Sequence, residues 1–373
     1  MNELVASFSG RALRIGRRIF SRPRIDLPLA VGLLILALIG LTVLYSASNL
    51  DRSMVLGQAL RFLIGAALLL AVSRIPPSLL RAWTPWFYLL STLLLALLMV
   101  LGEGRGTDRW LDLGLIRFQP SELMKLAMPM MVAWYLHPRV LPPRWRDIAA
   151  VGILVGIPAL LIVKQPDLGT ALLVAASGLF VLFLAGLQWW KIGALLAVIA
   201  GAAPVAWHFL RAYQRERVLT FLHPQNDPLG SGWHIIQSMI AVGSGGIVGK
   251  GFNQGTQSKL EFLPEHTTDF IFAVLGEEFG LVGVLILLAL YVFIVGRCLW
   301  IAANARDTYS RLLAGAFGLA FMVYVVVNGG MISGLLPVVG VPLPLVSYGG
   351  TSAITLLTGF GVVMSIHAHR KWT

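Results

Sequence analysis

The hydrophobic positions of this chain come in long unbroken runs, neither alternating as in a half-buried strand nor confined to one face as in a soluble helix. Apolar runs of about 18 residues or more recur along the whole length, and each can cross a bilayer as a helix. Ten spans can be marked, at 27–46, 54–73, 82–101, 121–137, 147–163, 168–187, 190–210, 270–302, 311–335 and 345–367. The pattern predicts an all-α polytopic membrane protein: a basic segment, 1–26, followed by a single integral-membrane unit, 27–373. Among the polar connections only 211–269, between the seventh and eighth spans, is long enough to fold over the membrane. Loops of that length are usually functional or disordered. Within it WHIIQSMIAVGSGGIVGKGF (233–252) keeps helical apolar spacing and then runs into glycines, which predicts an interfacial or re-entrant piece.

Composition agrees: 57% of residues are hydrophobic and 12% charged, against about a quarter charged in a soluble domain. The net charge of +12 raises the question of nucleic acid, and its distribution answers it. Arg11, Arg14, Arg17, Arg18, Arg22 and Arg24 precede the first span. Arg74 with Arg81, then Arg139, Arg144 and Arg146, then Lys191, then Arg306 with Arg311, then His369-Arg370-Lys371 fall in every second connection. That is the positive-inside pattern of a cytoplasmic-membrane protein with both termini in the cytoplasm. The apolar run 27–45 is too long for a cleaved leader, although Ser46-Ala47-Ser48 imitates a cleavage site. The single cysteine, Cys298, lies in an apolar run, where it packs and pairs with nothing.

The same topology puts nearly every polar motif outside: 106–122, 164–170, 211–269 and 341–352. Asp269 stands at the start of the eighth span. There it is an N-cap carboxylate or a general base beside the headgroups, and spacing does not choose between them. Glu277 and Glu278 follow about 12–13 Å further along the helix, and each needs a bundle interior, a partner cation or a wet cavity. Glu122 and Lys125 share a helical face, as an ion pair or as part of a mouth in which Lys125 and Arg109 hold phosphate while Trp110 stacks on a sugar. Asp167 reads as the cap of the sixth helix, with Thr170 near its third position. Arg61, inside the second span, either snorkels outward or faces the acids. The prolines and glycines of VPLPLVSYGGTS predict non-helical backbone lining a cavity. His223, His234 and His266 lack metal-ligand spacing, and no phosphate-binding loop, dinucleotide fingerprint or Ser-His-Asp arrangement is present.

QRERVLTFLHPQNDPLGSGWHIIQSMIAVGSGGIVGKGF, TQSKLEFLPEHTTDFIFAVLGEE and LLPVVGVPLPLVSYGGTSAI resemble the SEDS proteins (shape, elongation, division and sporulation) over nearly the whole chain from residue 27. GVPLPLVSYGG and FLHPQNDPLGSGWHIIQS place it nearer the rod-shape branch than the division paralogue. The resemblance implies a peptidoglycan glycosyltransferase that polymerises lipid II on the outer face of the cytoplasmic membrane. Its implied partners are a class B penicillin-binding protein and the other proteins of the elongation complex. The family's essential acid falls on Asp269, its RW pair on Arg109-Trp110, and its QPSE…K motif on Gln119 to Glu122 and Lys125. Its QPDLGT motif falls on Gln165 to Thr170, including Asp167, and its SYGG turn on Ser347 to Gly350. Arg61 and Glu278 join these as candidates for substrate binding. Relatives commonly read H-T-D-F, whereas here His266 stands one place earlier and so one place further from the acid, and His223 stands where relatives often carry Asp. No cofactor is evident; a divalent cation is a further candidate for neutralising the diphosphate. A lipid II flippase and a scaffold for partner helices are the competing readings.

Overall fold

The computed structural model describes residues 25–101, 110–112, 117–209, 212–222, 231–259 and 265–370. Ten helices occupy the ten apolar runs: α1 (Leu27–Ala47), α2 (Arg52–Ser73), α3 (Pro77–Leu101), α4 (Pro120–Leu136), α5 (Trp145–Lys164), α6 (Leu168–Leu184), α7 (Trp189–Phe209), then, after the long connection, α11 (Ile271–Ala303), α12 (Thr308–Ile332) and α13 (Thr351–Ala368). Within the connection lie α8 (Ala212–Leu222), α9 (Ser231–Ser244) and the four-residue α10 (Thr256–Lys259). Among the described residues seven helices are long and apolar enough to cross a membrane: α1, α2, α3, α5, α11, α12 and α13. The chain is a polytopic helical membrane protein. Carboxylates start several helices by accepting an orphan N–H: Asp26 from Leu29 (2.9 Å), Asp51 from Ser53 (2.8 Å), Asp167 from Thr170 (3.1 Å) and Asp307 from Ser310 (3.0 Å). The polar connection before α4 holds a small antiparallel pair, Leu111–Asp112 with Arg117–Phe118.

At the centre stands α12, packed against α4, α6, α11 and α13. Phe321 sits between Tyr291 and Phe360, with ring centroids 5.5 and 4.9 Å away. α13 closes the bundle on α2: Gly65 faces Leu357, Gly361 faces the backbone of Leu69, and the Ser365 hydroxyl donates to the Ile75 carbonyl. The bundle is entered by irregular chain. Residues 333–350 between α12 and α13 are not helical, and they lie against α1 so closely that a Cβ on Gly40 would sit 2.2 Å from the Leu345 carbonyl oxygen. Tyr291 donates to the Pro344 carbonyl (2.7 Å). Non-helical backbone at this depth survives because protein groups satisfy it.

α11 departs from the sequence reading. The uninterrupted run is broken at Gly280, whose φ of 62° and ψ of −161° are not helical. The turn after α9 fills the break. Lys250 and Gly251 N–H groups donate to the Glu277 and Glu278 carbonyls (3.0 and 2.9 Å), while Leu281 and Val282 donate to the Gly246 and Ile247 carbonyls (3.0 and 3.0 Å). Both orphaned ends at the break are thereby met, as for any helix terminus. The two acids complete the junction. Glu277 accepts from Lys250 Nζ (2.6 Å), Thr256 N (2.8 Å) and Thr256 Oγ1 (2.9 Å), and Glu278 accepts from Ser46 Oγ (2.6 Å).

Candidate functional site

Asp269 lies in a turn, residues 265–270, at the head of α11. It is not the cap of that helix: the N-cap is Phe270, whose side chain makes no capping hydrogen bond. The turn is instead held by its main chain. Asn328, wholly buried in α12, donates its carboxamide to the Asp269 carbonyl (2.8 Å) and to the Val341 carbonyl (2.7 Å). Tyr348 N donates to the Thr267 carbonyl (2.8 Å), and Ser347 Oγ donates to the Thr268 carbonyl. Asp269 is half-buried, and its Oδ2 rests over Gly340: a Cβ there would lie 3.5 Å from that oxygen. With φ at 73°, Gly340 also occupies the left-handed region that favours glycine.

The SYGG turn brings Arg61 to the same place. Gln58 Nε2 donates to the Ser347 carbonyl (3.4 Å), and Gln58 Oε1 accepts from Gly349 N (3.3 Å) and Arg61 Nη1 (3.4 Å). Arg61 Nη2 donates to the Tyr348 hydroxyl (3.1 Å). On the other side, a Cβ on Gly169 would meet the Val339 carbonyl oxygen at 2.5 Å, so the head of α6 abuts the strip that carries Gly340. Asp167, the cap of α6, also accepts from Gln119 Nε2 (3.3 Å), and Gln165 donates to the Leu95 carbonyl (2.9 Å). Lys125 Nζ donates to Glu122 Oε1 (2.6 Å) and lies 5.6 Å from the Tyr324 ring centroid. Tyr324 and Asn328 are four residues apart on α12, about 6 Å along one face. That face therefore joins the lysine to the Asp269 turn. Lys125, Ser177, Tyr324 and Thr355 line a cavity of about 30 Å³, enough for a water. Glu122 Oε2 is buried with no partner among the described residues.

Of the sequence candidates, Asp269, Arg61 and Ser347 form one connected group, and Glu122, Lys125, Gln165, Asp167 and Thr170 form its neighbour. Trp110 is exposed beside α4. Arg109 and His223 lie outside the described residues. Glu278 is placed elsewhere: its carboxylate accepts from Ser46 Oγ on α1, at the junction beside the Gly280 break. Among the described residues no three His, Cys, Asp or Glu side chains come together as metal ligands.

Residues 27–372 match the family model described as cell cycle protein, FtsW/RodA/SpoVE. The chain belongs to this family. Family members with it include the peptidoglycan glycosyltransferase MrdB of Escherichia coli K12, 59% identical over 268 residues, which is 72% of each chain. The probable peptidoglycan glycosyltransferase FtsW of Trichlorobacter lovleyi is 38% identical over 288 residues, 74% of each chain. Among solved structures, a chain of a peptidoglycan synthase complex described as coordinating polymerisation and crosslinking superposes with a TM-score of 0.81 at 35% identity, covering 93% of this chain and 98% of that one. The rod shape determining protein RodA of Thermus thermophilus matches at 0.71 with 30% identity, covering 94% and 99%.

Three members of the site escaped the sequence reading: Gln58, Asn328 and Gly340. A lone carboxamide inside an apolar run was the available signal for the first two, because it must find partners inside the protein.

Proposed function

We propose that this chain is the peptidoglycan glycosyltransferase of cell elongation, polymerising lipid II at the outer face of the cytoplasmic membrane, with both termini in the cytoplasm. The observation that carries the reading is the junction of the Asp269 turn with the SYGG turn, which seats a carboxylate and the Arg61 guanidinium on one rigid framework. A β-1,4 linkage formed from an α-linked diphosphate donor inverts the anomeric carbon, so a single displacement suffices. The acceptor 4-hydroxyl oxygen bonds to that carbon, and Asp269 accepts its proton. The carbon–oxygen bond to phosphate breaks, and the diphosphate leaves with the electron pair. By analogy with inverting glycosidases, one base on the attacking face is enough when the leaving group needs no acid. Arg61 and Lys125 neutralise the diphosphate; Glu122 positions Lys125, and Trp110 packs on a sugar. A class B penicillin-binding protein cross-links the product, a pairing supported by the related chain solved within a synthase complex.

The test uses the purified chain with its cross-linking partner and lipid II confined to the outer leaflet. Asp269→Asn and Asp269→Ala are expected to yield no glycan polymer while inserting normally. Wild-type polymer from either variant removes Asp269 as the base. Polymer made by the wild-type chain from outer-leaflet substrate also rejects the flippase reading, since no translocation precedes it.

A further inference from the structure

At the end of the bundle away from Asp269, α1 and α11 part to leave an apolar slot on the bilayer face. Arg297 marks that end, 17 residues beyond the break at Gly280, so about 25 Å along the second half of α11. Two openings, of about 330 and 410 Å³, share Ile35 and follow one another along the slot. The larger is lined by Leu27, Val31, Gly32, Ile35, Leu290 and Phe293. The helices are pinned at both ends of it, by Ser46 on Glu278 (2.6 Å) and by Arg297 on Asp26 (2.6 Å). Neither helix can slide to close the gap without giving up a buried polar contact.

The mouth beside Asp26 is edged with charge. Arg297 donates through Nε and Nη2 to Asp26 (3.0 and 2.6 Å), while its Nη1 donates to nothing among the described residues. The guanidinium lies 3.9 Å from the Trp300 ring centroid, and that of Arg370 lies 5.0 Å from the same ring. His367 Nδ1 is 3.3 Å from Asp26 Oδ2. Among the described residues two guanidinium groups face one carboxylate at the rim, a net positive balance. The unused edge of Arg297 is the donor geometry that phosphate oxygens accept, and basic pockets between helices on the cytoplasmic side are where anionic headgroups bind.

We propose that this mouth and slot bind an anionic phospholipid of the inner leaflet, its phosphate on Arg297 Nη1 and Arg370 and one acyl chain between α1 and α11. A zwitterionic lipid finds the same apolar walls but presents an ammonium beside the two guanidinium groups, so the rim sets the preference. The site lies across the membrane from Asp269 and stands independently of the reaction proposed there.

Native mass spectrometry of the full chain, released from nanodiscs holding phosphatidylglycerol and phosphatidylethanolamine in equal amounts, tests it. The wild-type chain is expected to retain phosphatidylglycerol in preference. Arg297→Lys keeps a cation on Asp26 but lacks the second edge, and Val31→Trp fills the slot without touching the ion pair. Each is expected to lower retention about tenfold, or 1.4 kcal/mol. Retention in the proportion of the bilayer, or wild-type retention by either variant, overturns the proposal. Should Arg297→Lys not survive extraction folded, Val31→Trp decides.

Discussion

Three residues in this molecule owe their meaning to what stands beside them. Gly340 holds a left-handed φ of 73° in the space beneath the Asp269 carboxylate, where an added Cβ would make ordinary contact with Oδ2 at 3.5 Å. Gly340→Ala should cost about 1–2 kcal/mol for a left-handed backbone and slow polymerisation more than the change in melting temperature accounts for. A rate equal to wild type would show that the carboxylate does not depend on that space. Asn328 offers both its protons to main-chain carbonyls, so Asn328→Leu should destabilise by about 1–3 kcal/mol for each carbonyl left unmet, read from melting in detergent. The third is Lys125. On sequence grounds Lys125→Ala is expected to weaken donor use and keep the fold. The buried pairing with Glu122 changes the design, since removing one partner strands a charge at about 3–5 kcal/mol. Glu122→Gln with Lys125→Ala is the cleaner variant: KM for the lipid-linked donor should rise with the melting temperature near wild type. An unchanged KM would remove the lysine from the phosphate site.

Among the elements, hydropathy located all ten long helices, with ends within six residues, because each must hide its backbone from hydrocarbon over a fixed thickness. It did not locate the break in α11. A hydropathy window averages across Gly280, and the partners that satisfy the break come from residues 246–251, remote in sequence. The acids were flagged as needing partners, yet sequence could not say that those partners would be Lys250, Thr256 and Ser46. Motif resemblance pointed to Asp269, Lys125 and Asp167, and a lone charge inside an apolar run pointed to Arg61; neither pointed to Gln58 and Asn328, which act on main-chain atoms. The junction makes its own prediction. A Cβ on Gly249 would fall 2.1 Å from the Glu278 carbonyl oxygen, so Gly249→Ala should detach the turn from α11. Limited proteolysis should then cut within residues 245–259 faster than in the wild type. Equal cutting would mean the turn is held by other contacts.

For the molecule as a whole, the ends of the chain matter most. Burial pushes the Asp26 carboxyl up, but hydrogen bonds from Arg297 and Leu29 and the neighbouring charges of His367 and Arg297 outweigh it, leaving the group below the usual carboxylate value. Such a group contributes its full stabilisation above the ordinary carboxylate pKa of about 3.9 and loses it as pH falls through the lowered folded value. Asp26→Asn should therefore melt lower than wild type at neutral pH, with the gap narrowing in acid. A gap that is constant across that range would show that ionisation of Asp26 adds nothing.

The seam between α2 and α13 has a further meaning for biogenesis. Gln58 and Arg61 emerge from the ribosome early, while Ser347 and Tyr348, which they grip, emerge near the close of translation. Until the final hydrophobic segment is threaded, the Asp269 loop has neither of the hydroxyl-bearing neighbours that fasten it. A prematurely terminated product would therefore be inert, unable to draw on the precursor pool.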